Sequence, residues 1–200
     1  MRIGKIAATV AVLTLATVLG AGARQADARD PFVVKRFLLG RLEPTTHRFV
    51  ATGARGTTNA YRDNVIMLVF SAPLEFGTLD GKTVGIGIPT SGGLMRPAEG
   101  TLIPYATYAR DESDPSGGAY RRRRTYRNRV LFDPTMELGC PANPNHGFDS
   151  DTTYSVTIAG TDRGATRTVR STAGTPLEAS FATTFATTDE YIYDYYDRGF

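Results

Sequence analysis

The sequence predicts an all-β protein built as a two-sheet sandwich of about seven to nine strands with long loops. The central observation is an unbroken apolar run, Val65 to Phe70, that ends at Ser71-Ala72-Pro73 and is too short and too β-branched for a helix. Short segments of alternating apolar residues follow this run, and Gly, Pro, Asn and Asp separate them. No segment beyond the N-terminal region shows sustained helical periodicity, so a parallel α/β sheet is not indicated.

The first 28 residues have the pattern of a signal peptide that is removed on export. Arg2 and Lys5 form a basic start, residues 6–19 are apolar, and small residues at 21–23 and 26–28 offer two cleavage sites. We expect cleavage after Ala28, with the earlier site and an uncleaved anchor as the alternatives. The apolar stretch is shorter than the about 20 residues of a membrane span. The sequence therefore predicts an exported protein, located in the periplasm, at the cell surface or outside the cell.

The rest of the chain predicts one domain at 29–188 and an acidic, tyrosine-rich tail or linker at 189–200. The signal peptide carries three of the 23 basic side chains and one of the 20 acidic ones, which leaves 20 against 19 in the mature chain. Such a nearly neutral chain lacks the basic face that nucleic-acid binding requires. The single cysteine, Cys140, cannot form an internal disulfide, so the core alone must hold the domain.

Three further strands are predicted up to residue 108, around the central strand predicted at 65–71. Residues 37–42 predict a first strand, and Pro44 after it suits the end of an edge strand, whereas residues 52–63 predict a loop. Residues 83–88 alternate apolar and small side chains, which indicates a half-buried strand before a Gly-rich loop at 89–97. Residues 101–108 indicate an edge or bulged strand, because Pro104 interrupts them.

The C-terminal half predicts three further strands. The strand at 121–132 has two predicted faces, one with Tyr126, Asn128, Val130 and Phe132 and the other with Arg127, Arg129 and Leu131. Residues 136–151 predict a long irregular insertion, and residues 162–176 predict a loop or short hairpin. The last two strands, at 152–160 and 179–187, have these inward residues: Tyr154, Val156, Ile158, Phe181 and Phe185.

Four motifs follow one another in the chain: N-V-I-M-L-V-F-S-A-P-L at 64–74, V-L-F-D-P at 130–134, T-T-Y-S-V-T-I at 152–158, and F-A-T-T at 181–184 or 185–188. In this order they resemble bacterial Ig-like domains of the S-layer (SbsA) type, over residues 36–188. The resemblance implies an immunoglobulin-like β-sandwich that serves as a spacer or adhesion module in exported bacterial proteins, without catalysis of its own. The basic run at 121–124, the insertion at 136–151 and the acidic tail depart from the family pattern.

Metal sites have little support in the sequence. Zinc takes about four ligands, and its nitrogen and sulfur ligands would come only from His47, His146 and Cys140. Calcium takes oxygen ligands, and one loop supplies weak candidates, namely Asn143, Asn145, Asp149 and Asp151. Asn and Asp are also common turn residues, which is the alternative explanation. We therefore predict no metal, no cofactor and no catalytic residues.

Candidate ligand contacts are aromatic and basic side chains between positions 105 and 124. They are Tyr105, Tyr108, Tyr120, Arg121, Arg122, Arg123 and Arg124. Tyrosine is favoured in contacts, and a run of arginines suits an anionic polysaccharide. Core or edge packing explains the tyrosines as well, and a solvated edge that discourages sheet aggregation explains the arginines.

Two functions follow from these observations. The first, implied by the family resemblance, is an exported non-catalytic module with a structural or adhesive role at the cell envelope or in secreted multidomain proteins. Its expected partners are other envelope proteins or polysaccharide, and no membrane span is expected in the mature chain. The alternative is a carbohydrate-binding module that uses exposed Tyr and Arg in loops or at a sheet edge.

Overall fold

The apolar run Val65–Phe70 is the middle strand of a five-stranded sheet in the computed structural model, which describes residues 30–110, 120–134 and 147–191. A second sheet has four strands, and the two antiparallel sheets form a sandwich. All strands lie in the unit Pro31–Phe200. The all-β prediction is confirmed, and the arrangement is consistent with an immunoglobulin-like β-sandwich.

The described residues form nine strands: β1 (Val34–Leu42), β2 (Phe49–Ala54), β3 (Val65–Phe70), β4 (Val84–Pro89), β5 (Met95–Pro97), β6 (Thr101–Arg110), β7 (Tyr120–Asp133), β8 (Thr153–Ile158) and β9 (Phe181–Ala186). The five-stranded sheet has the order β2-β1-β3-β7-β6, and the four-stranded sheet has the order β5-β4-β8-β9. Two short 3-10 turns, Phe76–Thr78 and Thr161–Arg163, follow β3 and β8.

The core between the two sheets is built from alternate residues of the strands, because successive side chains of a strand point to opposite faces. Ile66, Leu68 and Phe70 of β3 are at most 1% exposed and belong to this core. The second sheet contributes the residues whose inward orientation the sequence predicts: Tyr154, Val156, Ile158, Phe181 and Phe185. The predicted alternation of the last two strands is therefore confirmed.

The remaining residues of β3 lie on the outer face of the five-stranded sheet, where Val65 and Met67 are buried and Val69 is partly buried. Val65 and Met67 pack there with Leu131 of β7 and Tyr105 of β6 in a second apolar cluster, called the outer cluster below. Partly buried side chains surround it: Leu38, Leu42, Phe49, Val69, Ile103 and Tyr126. The central strand is thus buried on both faces, as its unbroken apolar run predicts.

The five-stranded sheet curls around the outer cluster, so that its two edges approach each other. The edge strands are β2 and β6, yet the Phe49 N–H of β2 donates to the Tyr105 hydroxyl of β6 at 3.0 Å. The Tyr108 N–H of β6 donates to the Thr46 carbonyl in the β1–β2 turn at 2.8 Å. Since neighbouring strands lie about 4.8 Å apart, the edges of a flat five-stranded sheet would be separated by about 19 Å.

The β6–β7 hairpin is strongly bulged, and the bulge corrects one prediction. Pro104 pairs with Val130, but Ala106 pairs with Thr125, so residues 126–129 of β7 stand opposite Tyr105 alone. The ring of Tyr126 lies in the outer cluster with Leu131, and not on the face of Val130 and Phe132 as the sequence predicts. That prediction was wrong because it assumed unbroken alternation, whereas a bulge adds residues to one strand only. The prediction of a bulged edge strand at 101–108 is confirmed.

Two short strands lie where the sequence predicts loops. The second half of β2 falls in the segment 52–63, and β5 falls in the segment 89–97. Both are edge strands with only partly buried or exposed residues, so their sequences carry no burial pattern. Because β2 adds to the sheet beside β1, Pro44 does not follow an edge strand and instead lies in the β1–β2 turn.

Two buried core residues, Phe148 and Val169, come from segments that the sequence assigns to the insertion and to a loop, and a third, Leu177, lies just after that loop. Phe148 is 1% exposed, and Val169 and Leu177 are fully buried. The Phe148 ring lies 4.7 Å from the Tyr154 ring and 5.0 Å from the Phe185 ring, measured between centroids. The end of the insertion therefore packs into the core and is not a surface loop.

Parts of the predicted domain organisation lie outside the described residues. These parts are the signal peptide at 1–28, the tail residues 192–200, and residues 135–146 of the insertion. The domain boundaries stay predictions. Within the described residues, no helix has both the length and the apolar character needed to cross a membrane.

Substitution of Met67 tests whether the outer cluster is packed as the curled sheet requires. Met67→Ala should lower the free energy of unfolding by about 2–5 kcal/mol, the range for Met→Ala in packed cores, because Met67 is only 2% exposed. Urea unfolding followed by tyrosine fluorescence measures the change. Leu94→Ala is the matched control, since Leu94 is 76% exposed and its loss should alter stability by less than about 0.5 kcal/mol. A loss for Met67→Ala as small as that of the control would contradict a packed outer face.

Candidate functional site

The predicted ligand contacts fall on the two strands of the β6–β7 hairpin. Tyr108 of β6 is paired with Arg122 of β7, and the arginines at 121–124 follow one another along β7. The backbone of Tyr120 pairs with Arg110 at the outer end of the hairpin, and its side chain lies outside the described part of the chain. The structure therefore brings these predicted contacts together on one hairpin.

Tyr105 has a packing role in this hairpin. It is 3% exposed, its ring stacks on the Tyr126 ring with centroids 4.9 Å apart, and its hydroxyl accepts the hydrogen bond from Phe49. A ring that is buried in this way presents no face to a ligand. Of the two predicted explanations for Tyr105, the structure shows packing.

Tyr108 is only partly buried and is held in place from the β1–β2 turn. Its N–H is bonded to the Thr46 carbonyl, and its ring makes an edge contact with the His47 ring at 4.8 Å between centroids. His47 has a positive φ of 52°, a conformation that is uncommon for residues other than glycine. The backbone bond and the ring contact together fix the position of Tyr108 without using its hydroxyl.

The basic side chains of β7 divide into a solvated group and a group that lies on aromatic rings. Arg121, Arg122 and Arg123 are exposed. The Arg124 guanidinium lies 4.7 Å from the centre of the Tyr126 ring, and the Arg129 guanidinium lies 4.6 Å from the same ring. Such cation–π contacts let a charged group rest at the rim of an apolar cluster. Arg129 belongs to the same basic segment of the sequence, but only the fold places it beside Tyr126.

The β1–β2 turn that holds Tyr108 is closed by an ion pair. The Arg48 guanidinium donates to the Glu43 carboxylate at 2.6 and 3.0 Å, and the Thr46 hydroxyl donates to it at 2.6 Å. The hydrogen bonds from Arg48, followed by that from Thr46, lower the pKa of Glu43 from its ordinary value. Thr46 thus connects Glu43 with Tyr108, because the Thr46 hydroxyl donates to Glu43 and the Thr46 carbonyl accepts from Tyr108.

A cleft of about 510 Å³ lies beside the hairpin and is called the hairpin cleft below. The hairpin contributes Tyr108, Arg122 and Arg127 to its lining, and the segment after β3 contributes Leu74 and Phe76. Smaller apolar residues and two hydroxyl-bearing residues complete much of the lining: Ile103, Ala106, Thr125 and Thr172. The lining of the cleft therefore combines apolar side chains, two aromatic residues and two arginines.

The calcium candidates are placed only in part. Asn143 and Asn145 lie outside the described residues, and Asp151 is exposed. The Asp149 carboxylate pairs with Arg96, and the Asp149 N–H donates to the Tyr154 hydroxyl at 2.7 Å. Burial is the main cause that raises the pKa of Tyr154. Among the described residues, no three His, Cys, Asp or Glu side chains form a group that could hold a metal ion.

The zinc candidates are also split. His47 lies in the β1–β2 turn, whereas Cys140 and His146 lie outside the described part of the chain. The ring of His47 contacts Tyr108, as described above. The prediction that the chain holds no metal, with weak calcium candidates, therefore stays a prediction.

The start of the predicted tail is tied to the domain through Arg62. The Arg62 N–H donates to the Glu190 carbonyl at 2.9 Å, and its guanidinium lies 4.6 Å from the centre of the Tyr191 ring. Its Nε donates to the Phe148 carbonyl at 2.9 Å, which also joins the end of the insertion to the same arginine. Residues 189–191 thus belong to the folded structure.

No protein-family model matches the chain, and no curated protein matches it. Among solved structures, the chain is similar to the crystal structure of the N-terminal part of the bacterial S-layer protein SbsC. The two share 16% sequence identity, the TM-score is 0.31, and the match covers 67% of this chain. This chain spans 23% of that structure's chain.

Glu43 makes the β1–β2 turn sensitive to acid. Because its folded-state pKa is lowered, Glu43 contributes stability above its unfolded-state pKa of about 4.3, and this contribution is lost as the pH falls through the folded-state value. The melting temperature of the wild-type protein should therefore fall more steeply between about pH 6 and pH 3 than that of Glu43→Gln. Thermal unfolding followed by circular dichroism measures both slopes.

Glu99→Gln is the control for this experiment, because Glu99 is an exposed carboxylate away from the turn. This variant should retain the wild-type slope. Equal slopes for the wild-type protein and Glu43→Gln would contradict a stabilising role for the carboxylate of Glu43.

Proposed function

We propose that this protein is an exported, non-catalytic β-sandwich module with a structural or adhesive role at the cell envelope or in a secreted multidomain protein. The observation that carries the proposal is the β6–β7 hairpin. It presents a run of exposed arginines, 121–124, on a scaffold whose central strand is packed on both faces. The N-terminal signal peptide pattern supplies the route out of the cell.

The charge of the hairpin supports adhesion to an anionic surface. The mature chain is nearly neutral, with 20 basic and 19 acidic side chains, but the basic groups at 121–124 are consecutive on one strand. Exposed guanidinium groups form charge-assisted and bidentate hydrogen bonds with carboxylates and phosphates. Several weak contacts of this kind, repeated along a polymer, add up through effective concentration.

Cell fractionation tests this proposal. The wild-type chain should be found in the envelope or extracellular fraction, beginning after residue 28, and a chain without residues 1–28 should stay in the cytosol. A variant with Arg121, Arg122, Arg123 and Arg124 all changed to Ser should be exported but should be removed from envelopes by a lower salt concentration than the wild-type protein. N-terminal sequencing and immunoblotting of each fraction give the result.

Two outcomes would contradict the proposal. One is a wild-type chain that stays in the cytosol with its first 28 residues intact. The other is a four-arginine variant that is retained on envelopes as strongly as the wild-type protein across the salt range. Because the four side chains are exposed and, among the described residues, only Arg124 of the four contacts an aromatic ring, the variant should melt close to the wild-type temperature, with a small decrease for the lost Arg124–Tyr126 contact, and this is the control for folding.

A second candidate function is carbohydrate binding, which the pairing of Tyr108 with Arg122 favours. An aromatic ring beside a guanidinium offers both a surface for a sugar ring and a partner for its polar groups. Unlike Tyr105, Tyr108 is partly exposed, and its backbone contacts hold it in place.

A glycan array separates the two functions. Carbohydrate binding predicts reproducible binding that Tyr108→Ala abolishes and Tyr108→Phe retains, together with salt-sensitive retention on heparin that is lost in the four-arginine variant. Tyr61→Ala serves as a control at another partly buried tyrosine outside the hairpin. An array on which no glycan binds would rule out this second function and leave a structural or protein-adhesive role.

A further inference from the structure

We infer that the hairpin cleft binds an acidic sugar unit of the hexuronate class, with the carboxylate held by Arg122 and Arg127 and the sugar ring lying against Tyr108. This inference rests on the second candidate function and specifies its site and ligand class. It also predicts different roles for arginines within the basic run 121–124, because Arg122 lines the cleft and Arg121 does not.

The size and lining of the cleft suit a small polar ligand. Its volume of about 510 Å³ lies within the range of about 300–1,000 Å³ found for small-molecule sites. Phe76 and Tyr108, which are both partly exposed, supply apolar surface against which the C–H face of a pyranose ring can pack. The hydroxyls of Thr125 and Thr172 supply hydrogen-bond partners for the ring hydroxyls.

The charge of the cleft selects an anion. Arg122 and Arg127 are exposed and both line it. The ion pairs between residues that the structure describes involve other arginines, namely Arg48, Arg96 and Arg167. A planar guanidinium matches the two oxygens of a carboxylate and forms charge-assisted hydrogen bonds with them. Two arginines in the lining therefore favour a ligand with a carboxylate at its edge.

The walls of the cleft are held together by backbone hydrogen bonds. The Leu74 N–H donates to the Arg127 carbonyl at 2.8 Å, which fixes the segment after β3 to the hairpin. The Thr172 N–H donates to the Pro73 carbonyl at 2.9 Å, which fixes the segment that contains Thr172 to the segment after β3. A cleft formed in advance of binding lowers the cost of ordering groups around a ligand.

These features together distinguish a hexuronate from simpler ligands. A neutral sugar would use Tyr108 and the hydroxyls but would leave both guanidinium groups to water. A small inorganic anion would use the guanidinium groups but would leave the apolar wall uncovered. A hexuronate has a C–H face, several hydroxyls and a carboxylate, so it pairs with all three kinds of group.

Calorimetric titration with trigalacturonate as the probe tests the inference. The protein is purified in the form that the producing cell leaves after any removal of the signal peptide. Arg122→Ser and Arg127→Ser should each raise Kd by about tenfold, the effect of losing hydrogen bonds to a charged group. Tyr108→Ala should also weaken binding, whereas Tyr108→Phe, which keeps the ring, should bind like the wild-type protein. Arg121→Ser is the matched control and should change Kd by less than about twofold.

The choice of probes tests the ligand class. The carboxyl-reduced trisaccharide, which is neutral but otherwise matched, should bind about tenfold more weakly than trigalacturonate. Inorganic phosphate should compete weakly, because it covers none of the apolar wall. Melting temperatures of all variants give the control for folding.

Several results would overturn the inference. Equal losses for Arg121→Ser and Arg122→Ser would show a diffuse basic surface in place of the cleft. Tighter, Arg122-dependent binding of a peptide with a free C-terminal carboxylate would assign the cleft to protein partners. Neutral glycans that bind on the array, with no binding of trigalacturonate, would overturn the ligand class but leave carbohydrate binding intact. An array with no bound glycan would overturn both the hexuronate site and carbohydrate binding.

Discussion

The rest of the structure depends on the need to cover β3 on both faces. An ordinary sandwich covers only one face of each sheet, and here the inter-sheet core takes Ile66, Leu68 and Phe70. Val65 and Met67 point the other way, and leaving them in water would forfeit about 25 cal/mol for each Å² of apolar surface. The sheet meets this need by curling, so that β6 and β2 close over the outer face. The placement of the hairpin is therefore a consequence of the composition of one strand.

The same curl explains how a strand of the core can continue into a basic surface. β7 begins with exposed arginines and ends with residues buried on both of its faces, Val130 and Leu131. The change from exposed to buried residues occurs at the bulge opposite Tyr105. There the Tyr126 ring packs into the outer cluster, and the guanidinium groups of Arg124 and Arg129 lie over the same ring. An aromatic ring can border both an apolar cluster and a guanidinium, so it joins the two environments.

Sequence periodicity predicts the parts of this fold that are regular. The two sheets, the doubly buried central strand and the inward faces of β8 and β9 all follow from local patterns, because period two directly reports which residues face a core. The face of Tyr126, the edge strands β2 and β5, and the burial of Phe148 do not follow. A bulge depends on pairing with a distant strand, an edge strand has no burial pattern, and Phe148 is buried only because Tyr154 and Phe185 meet it.

The candidate site shows the same division between local and distant causes. The sequence identifies an aromatic and basic segment, but it treats Tyr105 and Tyr108 alike, although one is buried and the other partly exposed. Their difference arises from contacts with β2 and the β1–β2 turn, more than 50 positions earlier in the chain. Leu74 and Phe76 likewise join the site only because the chain turns after Pro73 and bonds to Arg127.

This arrangement separates the residues that hold the hairpin from those of the proposed ligand contacts. Backbone bonds from Tyr108 and Leu74 and the side chains of the outer cluster fix the hairpin, and none of these contacts uses a guanidinium group of 121–123. The exposed arginines therefore contribute little to the free energy of unfolding, so they can be substituted while the scaffold stays the same. A core that is closed on both faces of one strand thus leaves the arginines of the proposed binding surface outside either core, so their identity is not fixed by packing.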